Sequence, residues 1–185
     1  MKTIPVTLIL TMMTYSSRTQ NRKPLILQET SKMNSNTKNI LLKFDEQNRF
    51  ETPSRFDYNA LVNRVNTFVK DLEKQFEVLF KIDDQIQDAS FYCDIIIPKE
   101  LVKIPKPNLG YAIRVSNFGG LVTINFQDEY ATETILTIQN ILEQHNFIFI
   151  SGDDLDEEYD GQFEEFKNFL GGEIPTWYIR YFDYL

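Results

Sequence analysis

The sequence predicts an α+β domain, with an antiparallel sheet of four or five strands and three packed helices. Three observations predict it. Residues 58–80 place apolar side chains at steps of three and four, the period of a helix with one buried stripe. Residues 111–126 read as two β-rich arms around Asn117-Phe118-Gly119-Gly120, where the glycines supply the positive φ of a tight turn. Helices and strands also do not alternate regularly enough for a doubly wound parallel sheet.

The elements follow in order. Residues 1–17 pair an early lysine with an apolar run from Ile4 to Met13 and a polar flank, the layout of a secretory signal. That run is shorter than the roughly 20 apolar residues a stable membrane anchor needs. Residues 18–39, rich in Ser, Thr, Asn, Gln and Lys, read as a tether, leaving 40–185 as a single folded domain. Residues 40–44 read as a short strand and 45–56 as loop. The helix over 58–80 has Asp57 as its N-cap and Leu61, Val65, Phe68, Val69, Leu72, Phe76 and Leu79 on its stripe. Residues 82–97 switch to period two and read as a strand, with Cys93 in the core. Two prolines keep 103–108 as extended loop. A second helix spans 132–144, capped by Thr132, with Ile135, Ile138 and Leu142 inward and Leu136 beside them. Residues 147–150 are all apolar and read as a central strand. A third helix spans 162–170 and is closed by Gly171-Gly172. The aromatic end from Ile174 to Leu185 fits strand or helix, and in either form its rings dock on the body.

Composition narrows the function. The formal net charge is -8, which disfavours a general nucleic-acid binder, since phosphate contacts need clustered cations. One Cys excludes an intramolecular disulfide and a Cys-based zinc site, and one His excludes a multi-histidine metal centre. That histidine, His145, closes the second helix, where the dipole favours a cationic ring, so it reads as structural. No hydrolase, zinc-protease, dinucleotide or Walker motif occurs. No cofactor is implied. The charge is also uneven: residues 1–82 sum to +5 and residues 128–173 to -12.

The acidic excess centres on residues 152–161, where Asp153, Asp154, Asp156, Glu157, Glu158 and Asp160 fall within eight positions. Three readings stand. The segment is a solvated loop, as charge runs usually are. Or Asp156, Glu158 and Asp160, followed by Gly161, match the first alternating ligands of a calcium loop, although Lys167 stands where the bidentate glutamate belongs. Or the carboxylates form a docking face for a basic protein partner, with Tyr159, Phe163 and Trp177 as aromatic anchors. The third reading makes the chain a non-enzymatic, exported binding protein of the periplasm or cell envelope. The alternative is an envelope hydrolase using carboxylates that the sequence does not mark out, since no acid has an evident pKa-raising setting.

Two resemblances bear on this. Leu10 to Ser17 resembles the end of a bacterial lipoprotein signal, with Tyr15 where the acylated Cys would stand, which implies an envelope protein that is not itself lipidated. The acidic Asp/Glu/Tyr loop and aromatic end of residues 82–185 resemble the immunity proteins of bacterial toxin systems. That resemblance implies a protein that covers a toxin's active site, with Asp156, Glu157, Glu158 and Asp160 as contact residues.

Overall fold

The computed structural model describes residues 33–185. The signal at 1–17 and the tether up to residue 32 lie outside the described residues. Among the described residues, no helix is long and apolar enough to cross a membrane.

The fold is α+β, built on one five-stranded sheet in the order β1 (Lys81–Asp83), β2 (Phe91–Ile96), β3 (Ala112–Ser116), β4 (Leu121–Ile124) and β5 (Ile148–Phe149). The first three pairings are antiparallel and the fourth, β4 with β5, is parallel. The parallel pair follows from the crossover helix between these strands, which returns the chain to the end where β4 began. The all-apolar run at 147–150 therefore forms an edge strand, where a central one was expected. Its side chains are covered by helices from both faces rather than by a further strand.

The 82–97 segment is not one strand. Lys81–Asp83 and Phe91–Ile96 pair with each other, Ile82 opposite Ile95, and a loop separates them. The β3–β4 hairpin pairs Ile113 with Ile124 and Val115 with Val122. Gly119 and Gly120 carry φ of 57° and 73° at its turn, a region that side chains rarely enter.

Two of the three expected helices depart from their bounds, one keeps them, and three further helices form among the described residues. Helix α1, Ser35–Phe44, replaces both the end of the tether and the strand expected at 40–44. Asn34 starts it by accepting from the N–H groups of Asn36 and Thr37, each at 2.9 Å, and Thr37 and Leu41 share its buried side. Helix α2, Tyr58–Phe76, is capped by Asp57 as expected. It stops four residues early, because Glu77 turns left-handed at φ 56°, which leaves Leu79 84% exposed. Helix α3, Thr132–Gln144, is preceded by Ala131 at the cap position, so Thr132 does not cap it. Its inward face is Ile135, Ile138, Ile141 and Leu142, whereas Leu136 faces out. The third expected helix shrinks to α5, Glu164–Lys167, and the chain end forms α6, Trp177–Phe182, capped by Thr176. A further short turn of helix, α4, spans Gly152–Leu155.

Alternation along the strands divides the interior. Cys93, Ile95, Ile113, Val115, Val122 and Ile124 point to one face, where they meet Phe68 and Leu72 of α2 and Ile138 and Leu142 of α3. Leu121 and Ile150 point to the other face and meet Leu41, Leu155, Tyr159, Phe163, Phe166, Trp177, Tyr181 and Phe182. The sheet is thus covered on both sides. Cys93 lies in the first of these clusters, and burial pushes its thiol far up, so it is a core residue and not a nucleophile.

Candidate functional site

The acidic segment is built onto the second face. Ser151 starts α4 by accepting from the Asp154 N–H at 3.3 Å, and Asp153 and Asp154 sit in its first turn, where the helix dipole favours negative charge. The following residues run beside the start of α6. Glu158 bridges Thr176, the Tyr159 N–H donates to the Pro175 carbonyl at 2.7 Å, and the Trp177 N–H donates to the Glu157 carbonyl at 3.1 Å.

Three of the six carboxylates are used by the fold. Asp154 accepts from the Thr37 hydroxyl at 3.3 Å and Glu157 accepts from the Met33 N–H. Asp160 accepts from Trp177 Nε1 at 3.3 Å and pairs with Lys38, whose ammonium also lies 4.6 Å from the Trp177 ring centre. These contacts clasp α1 to the C-terminal third of the chain. Asp153, Asp156 and Glu158 remain exposed.

The expected aromatic anchors are not on the surface. Tyr159 is 2% exposed and Trp177 and Phe163 are 0% exposed. Tyr159 packs against Trp177 and Phe166, with ring centres 4.6 and 4.9 Å away. Aromatic rings of this size remain in water only when nothing covers them, and here α1 and α6 supply the cover. The apolar side chains actually exposed next to the acidic segment are Phe169, Leu170 and Ile174, in the loop between α5 and α6.

The calcium arrangement does not form. Asp156, Glu158 and Asp160 do not converge, and among the described residues no group of three or more His, Cys, Asp or Glu side chains is placed to hold a metal ion. Gly161 serves a different purpose from a calcium-loop glycine. A Cβ there would strike the Asp45 carboxylate and the Tyr159 ring.

Sequence reasoning missed the centre of this face, the ion pair of Asp45 and Arg180. Both side chains are 0% exposed. Arg180 Nε donates to Asp45 Oδ1 at 2.9 Å and Nη2 donates to the Glu46 carbonyl at 3.3 Å. Asp45 Oδ2 accepts from the Tyr159 hydroxyl and from the Gln162 N–H, both at 2.6 Å. The Tyr159 oxygen in turn accepts from the Phe163 N–H at 2.9 Å. The guanidinium lies over the rings of Phe118 at 4.5 Å and Tyr181 at 4.9 Å. Burial, then the hydrogen bond to Asp45, pushes the Tyr159 hydroxyl far up, which keeps it neutral and donating. One sequence signal points to this centre: Arg180 stands alone inside an otherwise apolar and aromatic stretch, which requires a buried acid somewhere in the chain.

Asp45 is the one carboxylate in the core among the described residues, and Arg180, Tyr159 and Gln162 occupy its oxygens. It is built as a structural counter-ion, not as a free acid facing a pocket. His145, which ends α3, is also structural in its contacts, with Nε2 2.8 Å from Asp71 Oδ2 on α2 and the ring edge-on to Phe68.

Comparison with protein-family models, with curated proteins and with solved structures finds no match to this chain.

Proposed function

We propose that the chain is a non-enzymatic, acidic binding protein that docks a cationic protein partner through the 153–165 region. One observation carries the reading. After the fold has used Asp154, Glu157 and Asp160, the carboxylates of Asp153, Asp156, Glu158 and Glu165 remain exposed with no cation paired to them among the described residues. Glu158, bridged to Thr176, and Glu165 of α5 flank the exposed apolar loop of Phe169, Leu170 and Ile174, the last of these 55% exposed. Exposed charge of one sign raises association rates, and adjacent apolar side chains lengthen residence. The contact set thereby moves from buried Tyr159 and Trp177 to this loop. Export to the envelope, and an immunity-like role there, belong to the same proposal and rest on the resemblances of residues 10–17 and 82–185.

The test is the charge-reversed variant Asp153→Lys, Asp156→Lys, Glu158→Lys. Its melting temperature should match wild type, because exposed charges contribute little to stability. Association with a basic partner recovered from envelope extract should slow by about tenfold or more at low salt and converge on wild type at high salt. An unchanged rate at low salt would overturn the proposal.

A further inference from the structure

A second charged feature lies away from the acidic face and has the opposite sign. The first two turns of α2, the β3–β4 turn and the loop before α2 line an open cleft of about 390 Å³. Its charged walls are Arg55, Arg64 and Asp57, and Pro53, Phe56 and Leu61 give it an apolar side. Asp57 accepts from the Ala60 N–H as the helix cap, at 2.9 Å. Arg55 and Arg64 have no carboxylate paired to them among the described residues.

Arg64 is the more informative of the two. It is half-buried, and its guanidinium lies 4.4 Å from the Phe147 ring centre, which fixes its plane. Its hydrogen bond from Nη1 reaches the Asn146 carbonyl at 3.4 Å, long enough to be weak. Four of its five N–H groups have no described acceptor. The hairpin turn makes room for it: a Cβ at Gly120 would stand 2.6 Å from Nη2 and 2.9 Å from Nη1. Desolvation lowers the Arg64 pKa from its ordinary value, the signature of a cation held partly out of water without a counter-charge. The contrast with the chain's other buried guanidiniums is direct, since Arg180 faces Asp45 and Arg114 forks onto Asp94 at 2.7 and 2.8 Å. Where this chain buries an arginine for its own fold, it supplies the carboxylate. At Arg64 the described residues supply none and leave a cleft.

We propose that this cleft binds the oxyanion of a small organic molecule, a phosphomonoester or a carboxylate. Arg64 acts as the planar two-pronged donor, Arg55 as the outer cation, and Phe56 with Pro53 as the surface for the ligand's apolar body. A guanidinium fork matches the paired oxygens of either anion, and the cleft volume fits a small ligand.

The experiment is titration of the full chain with phenyl phosphate, benzoate, inorganic phosphate and, as a neutral control, benzyl alcohol, followed by backbone amide NMR. Shifts should be confined to Ala60, Asn117, Gly119 and Gly120 and their neighbours, and benzyl alcohol should cause none. Arg64→Lys should weaken anion binding by about tenfold, because an ammonium cannot fork. Arg55→Ala should weaken it less, by about threefold, as expected for an exposed cation. Tighter binding of phenyl phosphate than of inorganic phosphate assigns an ester, and tighter binding of benzoate assigns a carboxylic acid. Inorganic phosphate bound as tightly as both organic probes would overturn the role given to the apolar wall. No shift at these amides with any anion up to about 10 mM, or equal affinity in wild type, Arg64→Lys and Arg55→Ala, would overturn the site.

Discussion

The two faces of the sheet solve the same burial problem with different materials. On one face, α2 and α3 are long amphipathic helices whose aliphatic stripes meet Val115, Val122 and Ile113. On the other face, α1, α4, α5 and α6 have at most ten residues each and come from segments more than a hundred residues apart. That face contains the Asp45–Arg180 pair. It also carries Arg114, which forks onto Asp94, stacks 4.0 Å from the Phe91 ring centre and donates to the Phe182 carbonyl at 2.8 Å. A long helix fixes its own geometry through consecutive hydrogen bonds and needs only an apolar stripe to dock. Four-residue helices cannot do so. Their positions are set by directional bonds from buried charges, at a desolvation cost that aliphatic packing does not incur.

The largest expected effect breaks the second face at its charge. Asp45→Ala strands Arg180 among aromatic rings and removes an acceptor from Tyr159 and from the Gln162 N–H, so unfolding in urea should show a loss of about 3–5 kcal/mol. A loss under about 1 kcal/mol would mean that the pair does not organise this face. The corresponding break of the first face is Leu72→Ala, a pure cavity at a fully buried position. It should cost about 2–5 kcal/mol by the same measurement and leave the tertiary contacts of Trp177 unchanged, as read by its fluorescence.

The smallest effect at neutral pH sharpens the comparison. Tyr159→Phe keeps the ring packing, removes one hydrogen bond from a carboxylate that retains two and leaves the buried Phe163 N–H without its acceptor, so the cost should be about 1–3 kcal/mol. Its pH dependence is more diagnostic. The Tyr159 pKa is raised in the folded chain, so its contribution is complete below the ordinary tyrosine value of about 10 and is lost as pH rises above it. The phenylalanine variant should therefore lose stability less steeply above about pH 10 than wild type. Parallel curves would show that Tyr159 does not titrate with unfolding. Tyr130 and Tyr181 are also shifted upward by burial, so some alkaline loss should persist in the variant.

Legibility in the sequence follows the same division. The stripe of α2 as far as Phe76, the inward Ile135, Ile138 and Leu142 of α3, the Asn117–Gly120 turn and the core position of Cys93 were readable, because each depends on residues within one or two helical turns or one hairpin, whereas Leu79 and Leu136 face out and Ile141 faces in. Asn34 was readable in principle as a cap, but the apolar run at 40–44 has the same length as a strand, and five residues do not distinguish the two periods. The acidic segment was readable as acidic. Which of its carboxylates face solvent was not, because Thr37, Lys38 and the Met33 N–H lie more than a hundred residues away.

By itself, then, the sequence determined the fold class, the two long helices, the β3–β4 hairpin and the charge imbalance, since local spacing and composition carry all of these. Tertiary structure alone decided that β5 lies at the edge, that residues 35–44 are helical and that Tyr159 and Trp177 are inside. It also decided that Arg180 meets Asp45 and that, among the described residues, Arg64 meets no acid. The physical reason is that burial and pairing belong to the surface that arrives, not to the residue that waits for it. For Asp45 that surface is carried by a helix that begins 132 positions further along the chain, at Trp177.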